Sequence, residues 1–131
     1  MKKQNKLDNF QRAILRLQEA VEEYSKQQTN DVMRDGLIQR FEFTYELAWK
    51  ATKEVLEDLG IVDIRSPKAT FKEAFSQGLI QEETTWLMML KDRNMTTHVY
   101  KEEIADEIAQ RIILDYLKNF QDLLNSLQAA K

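Results

Sequence analysis

The chain has 131 residues, of which 43% are apolar and 31% charged, with three Gly, one Pro, one His and no Cys. This length predicts one domain over residues 1–131, and so few turn-forming residues disfavour a β-sandwich or barrel. The lack of Cys excludes disulfide scaffolds, thiolate metal sites and thiol catalysis. The net charge of -3 provides no broad cationic surface for nucleic acid.

The N-terminal segment contains Lys2, Lys3 and Lys6, and no apolar segment follows them. We expect residues 1–6 to form a flexible tail and not a signal peptide. No part of the sequence approaches the roughly 18 consecutive apolar residues of a membrane span. A glycine-rich phosphate loop and a dinucleotide fingerprint are also absent from the sequence. We therefore expect a cytoplasmic protein without membrane contact and without a cofactor.

Apolar residues spaced three and four apart predict a first helix over about residues 7–27. They are Leu7, Phe10, Ile14, Leu17, Val21 and Tyr24. Thr29, Asn30 and Asp31 offer N-cap chemistry for a second helix over about residues 32–59. Gly60 fits the position that ends this helix. Gly36, within its first turns, predicts that the helix starts later or kinks.

The segment 41–47 alternates apolar and polar residues, which is also typical of a strand. We favour a helix, because helix-forming residues flank the segment and no turn signal bounds it. In a helix, Phe43, Leu47 and Ala51 form a second apolar face at steps of four. A helix that is apolar on two faces is buried by more than one neighbour or by another chain.

The rest of the sequence predicts three further helices. Ser66 and Pro67 fit the N-cap and first position of a short helix that Gly78 ends. A fourth helix is expected from about Gln81 to a kink or end near His98, and a last helix over about residues 102–127. The predicted fold is all-α, an antiparallel up-and-down bundle of four main helices plus one short helix.

The segment from Arg93 to Tyr100 has the residue types of a phosphate site. Arg93 and Tyr100 are seven residues apart and share a helix face, and Asn94 and His98 share a neighbouring face. Arg is a permanent forked cation for phosphate, and His titrates near neutral pH. Residue types alone favour a simpler interpretation, in which His98 is a hydrogen-bonding group at a helix end and Arg93 is a salt-bridge partner.

Other candidates have structural alternatives as well. Glu42 and Glu46 offer two carboxylates, too few for a confident cation site, and an exposed face with Glu46 paired to Lys50 is the simpler interpretation. Trp49 offers a stacking surface for a base, although packing is the commoner role of such a residue.

Several motifs together resemble the family of nucleotidyltransferase substrate-binding proteins. Residues 41–50 contain FEFTYELAWK, and further matching positions follow in order after it. The whole match covers about residues 7–125 of the chain. They are Ser66, Pro67, Phe71, Ala74, Phe75, Gly78, Leu79, Ile80, Trp86, Met89, Leu90, Asp92, Arg93, Asn94, Thr96, His98 and Tyr100. The resemblance covers nearly the whole chain and is more specific than any single motif.

The resemblance implies a small helical bundle, usually dimeric, that pairs with a separate catalytic nucleotidyltransferase subunit. The same bundle is similar to HEPN domains, many of which are metal-independent ribonucleases and toxins. In those ribonucleases the catalytic residues correspond to Arg93, Asn94 and His98. In toxin–antitoxin pairs of this kind the tyrosine two positions after the histidine is adenylylated by the partner, and this implies Tyr100 as the modified residue.

We therefore expect a substrate-binding or interaction subunit that binds a separate nucleotidyltransferase subunit. The alternative is an HEPN-type metal-independent ribonuclease toxin that is neutralised by adenylylation of Tyr100. A homodimer is expected in either case, with RNA as a further partner of the ribonuclease, and two copies of His98 then supply both the acid and the base. Candidate binding or interface residues are Phe43, Glu46, Leu47, Trp49 and Lys50.

Overall fold

A computed structural model describes residues 2–130, with side chains from residue 6 onward, and contains helices and no strand within that range. The elements are α1 (Lys2–Lys26), α2 (Asp31–Asp58), α3 (Pro67–Ser76), α4 (Glu83–Met95), a 3-10 turn (Thr96–His98), α5 (Glu102–Arg111), a π turn (Ile112–Tyr116) and α6 (Leu117–Ala129). The last three are continuous, and we call them together the C-terminal helix. The predicted all-α bundle of four main helices and one short helix is confirmed.

The first two helices form a long hairpin. Asn30 caps α2, since its side chain accepts a hydrogen bond from the Met33 amide at 3.0 Å. The helix begins at Asp31 and runs through Gly36, close to the predicted range of 32–59, so the alternative of a start after this glycine is wrong. Leu37 and Ile38 are fully buried beside this glycine, and their packing offsets the weak helix propensity of Gly.

Glycines end α2 and α3 as their positions predict. Gly60 and Gly78 have φ values of 90° and 77°, a conformation that glycine adopts without steric cost. In each case the next amide donates back into the last helical turn, from Ile61 to the Leu56 carbonyl and from Leu79 to the Ala74 carbonyl. At the start of α3, Ser66 caps the helix before Pro67. These ends set the lengths of α2 and α3 and so the position of α4.

The core is a cluster of aromatic side chains that joins all the helices around α2. Phe71 of α3 stacks on Trp86 of α4 with ring centroids 4.3 Å apart, and Phe41 of α2 stacks on Tyr116 at 5.4 Å. Phe120 of α6 meets the edge of Trp86 at 5.6 Å. Aromatic pairs in such arrangements add about 0.5–1.5 kcal/mol each beyond the area they bury. The core therefore holds α4 between α3 and the C-terminal helix.

The expected flexible tail lies mostly outside the residues whose side chains the structure describes. Helix α1 begins at Lys2, and the Lys6 ammonium lies 3.1 Å from a carboxylate oxygen of Glu54. The flexibility of residues 1–6 stays a prediction. Within residues 2–130, no helix has both the length and the apolar character needed to cross a bilayer.

Candidate functional site

A buried carboxylate lies directly before the candidate residue Arg93. Asp92 is only 2% exposed. Arg111 donates to both of its oxygens, from Nε at 2.7 Å and from Nη2 at 2.8 Å, and the Tyr116 hydroxyl donates to Oδ2. Arg111 ends α5 and Tyr116 ends the π turn. The widened turn therefore points two donors at one carboxylate and fixes the last turns of α4 against the C-terminal helix.

Both donors of this cluster hold their protons firmly. Burial raises the pKa of the Tyr116 hydroxyl, and its hydrogen bond to Asp92 raises that pKa further. The hydrogen bond to Asp92 also raises the pKa of the Arg111 guanidinium, against a smaller effect of burial in the opposite direction. A paired and fully hydrogen-bonded carboxylate avoids most of the penalty of burying a charge. The Asp92 cluster is therefore a fixed structural connection at neutral pH.

Two carboxylates of α2 hold the outer side of the same segment. Glu46 accepts from Arg93 Nη2 at 3.3 Å through Oε1, and its Oε2 lies 3.6 Å from the Lys50 ammonium. Glu42 accepts from the Thr96 hydroxyl at 3.1 Å. The predicted pair of Glu46 with Lys50 is present, and Arg93 shares it. Residues 41–50 of α2 and the segment from Arg93 to Tyr100 are therefore in direct contact.

Tyr45 lies beneath this contact, one residue before Glu46. Its ring packs near Phe71 and Trp86, and its buried hydroxyl has no hydrogen-bond partner among the described residues. Burial raises the pKa of Tyr45, while the charge of Arg93 lowers that pKa and the charge of Glu46 raises it. The hydroxyl is therefore neutral and unpaired, next to a charged pair.

The C-terminal end of the segment from Arg93 to Tyr100 is open to solvent. The 3-10 turn carries His98, whose side chain is exposed, and Tyr100 is 75% exposed just after it. The two rings lie 6.2 Å apart between centroids. No hydrogen bond or ion pair to another described residue holds the His98 ring. The ring is therefore accessible to a ligand from solvent.

The structure brings some of the predicted residues together and separates others. His98 and Tyr100 are neighbours, and Arg93 is held by Glu46 on the side of α2. Asn94 faces a different groove, between α3 and α4, that Lys68 also lines. In the single chain, Asn94 therefore lies on a different side of α4 from the contact between Arg93 and Glu46.

The second apolar face of α2 is only partly covered. Ala51 is buried, whereas Phe43 and Leu47 are half-buried and line a shallow groove of about 480 Å³ with α1. The Arg16 guanidinium carbon lies 5.4 Å from the centre of the Phe43 ring, a distance at which cation and ring attract. Trp49 is half-buried and packs against the core. Phe43 and Leu47 therefore offer an apolar surface to another molecule.

Sequence reasoning missed the Asp92 cluster and the π turn. The spacing of four apolar residues already indicates the π turn, since neighbouring members of the set are four or eight positions apart. They are Ile104, Ile108, Ile112 and Phe120. Sixteen residues in steps of four move a side chain about 160° off one face of a regular helix, and the extra residue of one widened turn offsets about 100° of this displacement. Among the described residues, no three His, Cys, Asp or Glu side chains form a group that would hold a metal ion.

Comparison with known proteins places this geometry in context. A family model described as nucleotidyltransferase substrate binding protein like matches residues 5–129. A Haemophilus influenzae protein named probable ribonuclease HepT is 33% identical over 102 residues, which make up 75% of this chain and 69% of that protein.

Two solved structures share the fold. One, from Haemophilus influenzae and described as the fold of a substrate-binding domain of a nucleotidyltransferase, is 29% identical with a TM-score of 0.83 and covers 93% of this chain and 98% of its own. The other is a tri-AMPylated HEPN toxin of Shewanella oneidensis in complex with MNT antitoxin, with a TM-score of 0.78 over 97% of this chain and 96% of its own. At 19% identity, the second likeness concerns the fold alone.

The two buried tyrosines allow a matched test of this local energetics. Tyr116→Phe should lower the free energy of unfolding by about 1.5–3 kcal/mol, because a hydrogen bond to a charged group is lost. Tyr45→Phe should leave stability unchanged or raise it by up to about 1 kcal/mol, because it removes an unpaired buried hydroxyl. Urea unfolding at pH 7 measures both variants. Equal losses of stability in the two would contradict the hydrogen bonding described.

Proposed function

The chain belongs to the family of nucleotidyltransferase substrate-binding-like proteins, and we propose that it is the binding subunit of a two-component system. In this proposal a separate chain carries the nucleotide and the catalytic nucleotidyltransferase centre. This chain binds that subunit and presents an acceptor group to it. The proposal is supported by family membership and by a surface on α2 that a second chain would cover.

The incompletely buried face of α2 is the observation that carries the proposal. Phe43 and Leu47 lie in the family-like segment and are half-buried in the single chain. Arg12 and Arg16 lie at the edge of the same groove. An apolar centre with a charged rim is typical of a protein–protein interface. We propose that the nucleotidyltransferase subunit docks here, with acidic residues opposite the two arginines.

Tyr100 is the proposed acceptor. Its side chain is 75% exposed, so the hydroxyl can enter the active site of another protein without unfolding this one. The phenolic oxygen would attack the α-phosphorus of ATP and form a phosphodiester bond to AMP. The bond to pyrophosphate then breaks, and the phenolic proton passes to a base of the partner or to water. The modified residue bears a negative charge next to His98.

A binding experiment with a small nucleotidyltransferase of the same organism tests this proposal, and the product of the adjacent gene is the first candidate to examine. We expect a complex on size-exclusion chromatography at micromolar concentration, and we expect Phe43→Ser with Leu47→Ser to weaken it at least about tenfold, because buried apolar contacts carry most interface energy. Leu114→Ser is the matched control, since Leu114 is 78% exposed on the C-terminal helix. Equal loss in the control, or no complex with folded wild-type protein, would contradict the proposal.

A second function is favoured by the exposed and unpaired His98. The 33% identical relative is named a probable ribonuclease, and we propose metal-independent RNA cleavage by a homodimer of this chain. One His98 would take the proton of a ribose 2′-hydroxyl, whose oxygen attacks the adjacent phosphorus. The second His98 would protonate the departing 5′-oxygen as its bond to phosphorus breaks. The products are a 2′,3′-cyclic phosphate and a 5′-hydroxyl.

Arg93 would stabilise the charge that develops on the phosphate. Its ion pair with Glu46 is about one-third exposed on both sides, and pairs of this kind contribute little stability in water. A phosphate can therefore compete with Glu46 for the guanidinium. The second contact of Glu46, with Lys50, keeps this carboxylate partnered when Arg93 turns to the substrate.

RNA cleavage in the presence of EDTA tests the second function. We expect wild-type protein to cut single-stranded RNA and His98→Ala to lose at least about 10²-fold in rate, the usual share of acid–base catalysis. Because the His98 side chain is exposed, the variant should unfold at the same urea concentration as wild type. Uncut RNA with folded wild-type protein, or equal rates in both proteins, would contradict it.

A further inference from the structure

The groove between α3 and α4 that Asn94 lines has a volume of about 430 Å³. Its walls come from both helices and include the motif residue Asn94. The lining residues are Lys68, Leu87, Leu90, Lys91, Asn94 and Met95. The groove therefore contains one residue of the Arg93–Tyr100 segment, and the functions proposed above give this groove no role.

The charge of this groove differs from that of its neighbours. Lys68 and Lys91 are exposed, no carboxylate lines the groove, and neither lysine forms an ion pair with another described residue. The grooves on other faces contain acids: Glu46 between α1 and α2, and Asp106 and other acids on the C-terminal helix. In a chain of net charge -3, this is a local cationic site, and it fits an anionic occupant.

The floor of the groove is apolar. Leu87, Leu90 and Met95 are half-buried there, and the unbranched Met side chain adapts to ligands of different shape. The Asn94 amide at the rim has both donors and an acceptor. A ligand with a phosphate, a flat apolar face and a hydrogen-bonding edge matches these three features. A nucleotide has all three, and only a single strand leaves its base free to enter such a groove.

The groove is next to the proposed cleavage site. Met95 ends α4, and His98 is three residues further on in the 3-10 turn. At about 2 Å of rise per residue, His98 lies about 6 Å along the helix axis from the groove wall. An RNA strand whose scissile phosphate lies between Arg93 and His98 would therefore reach the groove with a neighbouring nucleotide.

We infer that the α3–α4 groove binds a nucleotide of single-stranded RNA beside the scissile phosphate. Lys68 and Lys91 contact the backbone phosphate, the base lies on the apolar floor, and Asn94 hydrogen-bonds to the base edge. This inference rests on the ribonuclease function proposed above. It adds a substrate subsite that a single chain already contains, whereas the cleavage site needs two copies of His98.

Fluorescence anisotropy with a labelled single-stranded RNA tests this subsite, using full-length protein with His98→Ala to prevent cleavage. The double variant Lys68→Glu with Lys91→Glu should weaken binding about tenfold or more. Its plot of log affinity against log salt should also lose about 1.4 units of slope, at about 0.7 per phosphate contact. Leu87→Ser should weaken binding with an unchanged slope, because it removes apolar contact and no charge.

The matched control is Lys26→Glu with Lys118→Glu, which gives the same net charge at two exposed lysines on other helices. The control should keep the wild-type slope, and Lys68→Arg with Lys91→Arg should keep both affinity and slope. Equal losses in the control and groove variants would overturn the inference while the ribonuclease proposal stands. The inference would also be overturned if the groove variant Lys68→Glu with Lys91→Glu bound RNA as wild type does but lost the nucleotidyltransferase complex. That result would make the groove a protein interface. If folded wild-type protein neither binds nor cuts RNA, the ribonuclease proposal and this inference fail together.

Discussion

The buried Asp92 carboxylate is the constraint on which the geometry of the candidate site depends. An isolated charge in a protein interior costs several kcal/mol, and the hydrogen bonds from Arg111 and Tyr116 offset that cost for the Asp92 carboxylate. Both donors lie at the ends of one π turn, and a regular helix would not present them in the same way. The carboxylate therefore links the path of the C-terminal helix to the end of α4.

From Asp92 towards Tyr100, the side chains have fewer hydrogen-bond and ion-pair partners. Arg93 has a carboxylate partner in Glu46 that is about one-third exposed, Thr96 donates to Glu42, and the His98 side chain has no such partner among the described residues. The buried Asp92 cluster fixes the end of α4, and the exposed His98 and Tyr100 side chains follow it closely in the chain. This arrangement suits a site that another molecule completes, because the scaffold limits where the exposed groups move. Within the single chain, Arg93 contacts Glu46 of α2, whereas Asn94 lines the groove between α3 and α4.

Much of the fold was predictable because it follows from local chemistry. The N-caps Asn30 and Ser66 and the helix ends at Gly60 and Gly78 follow from rules that involve only a few neighbouring residues. The pairing of Asp92 with Arg111 joins residues 19 positions apart, and no local rule relates them. The start of α2 was predicted within one residue, and the alternative of a start after Gly36 was wrong, since the burial of Leu37 outweighs the low helix propensity of glycine. For the site, spacing predicted shared faces, but the change from α-helix to 3-10 turn after Met95 altered the directions of the side chains.

The central claim is that the exposed end of this segment is presented to a second, catalytic chain. The most direct test is co-expression with the nucleotidyltransferase of the same organism that binds this chain, followed by intact-mass and peptide mass spectrometry. The account predicts AMP on the peptide that contains Tyr100, and loss of that modification in Tyr100→Phe while the complex persists. A stable, ATP-consuming complex in which Tyr100 stays unmodified would contradict it.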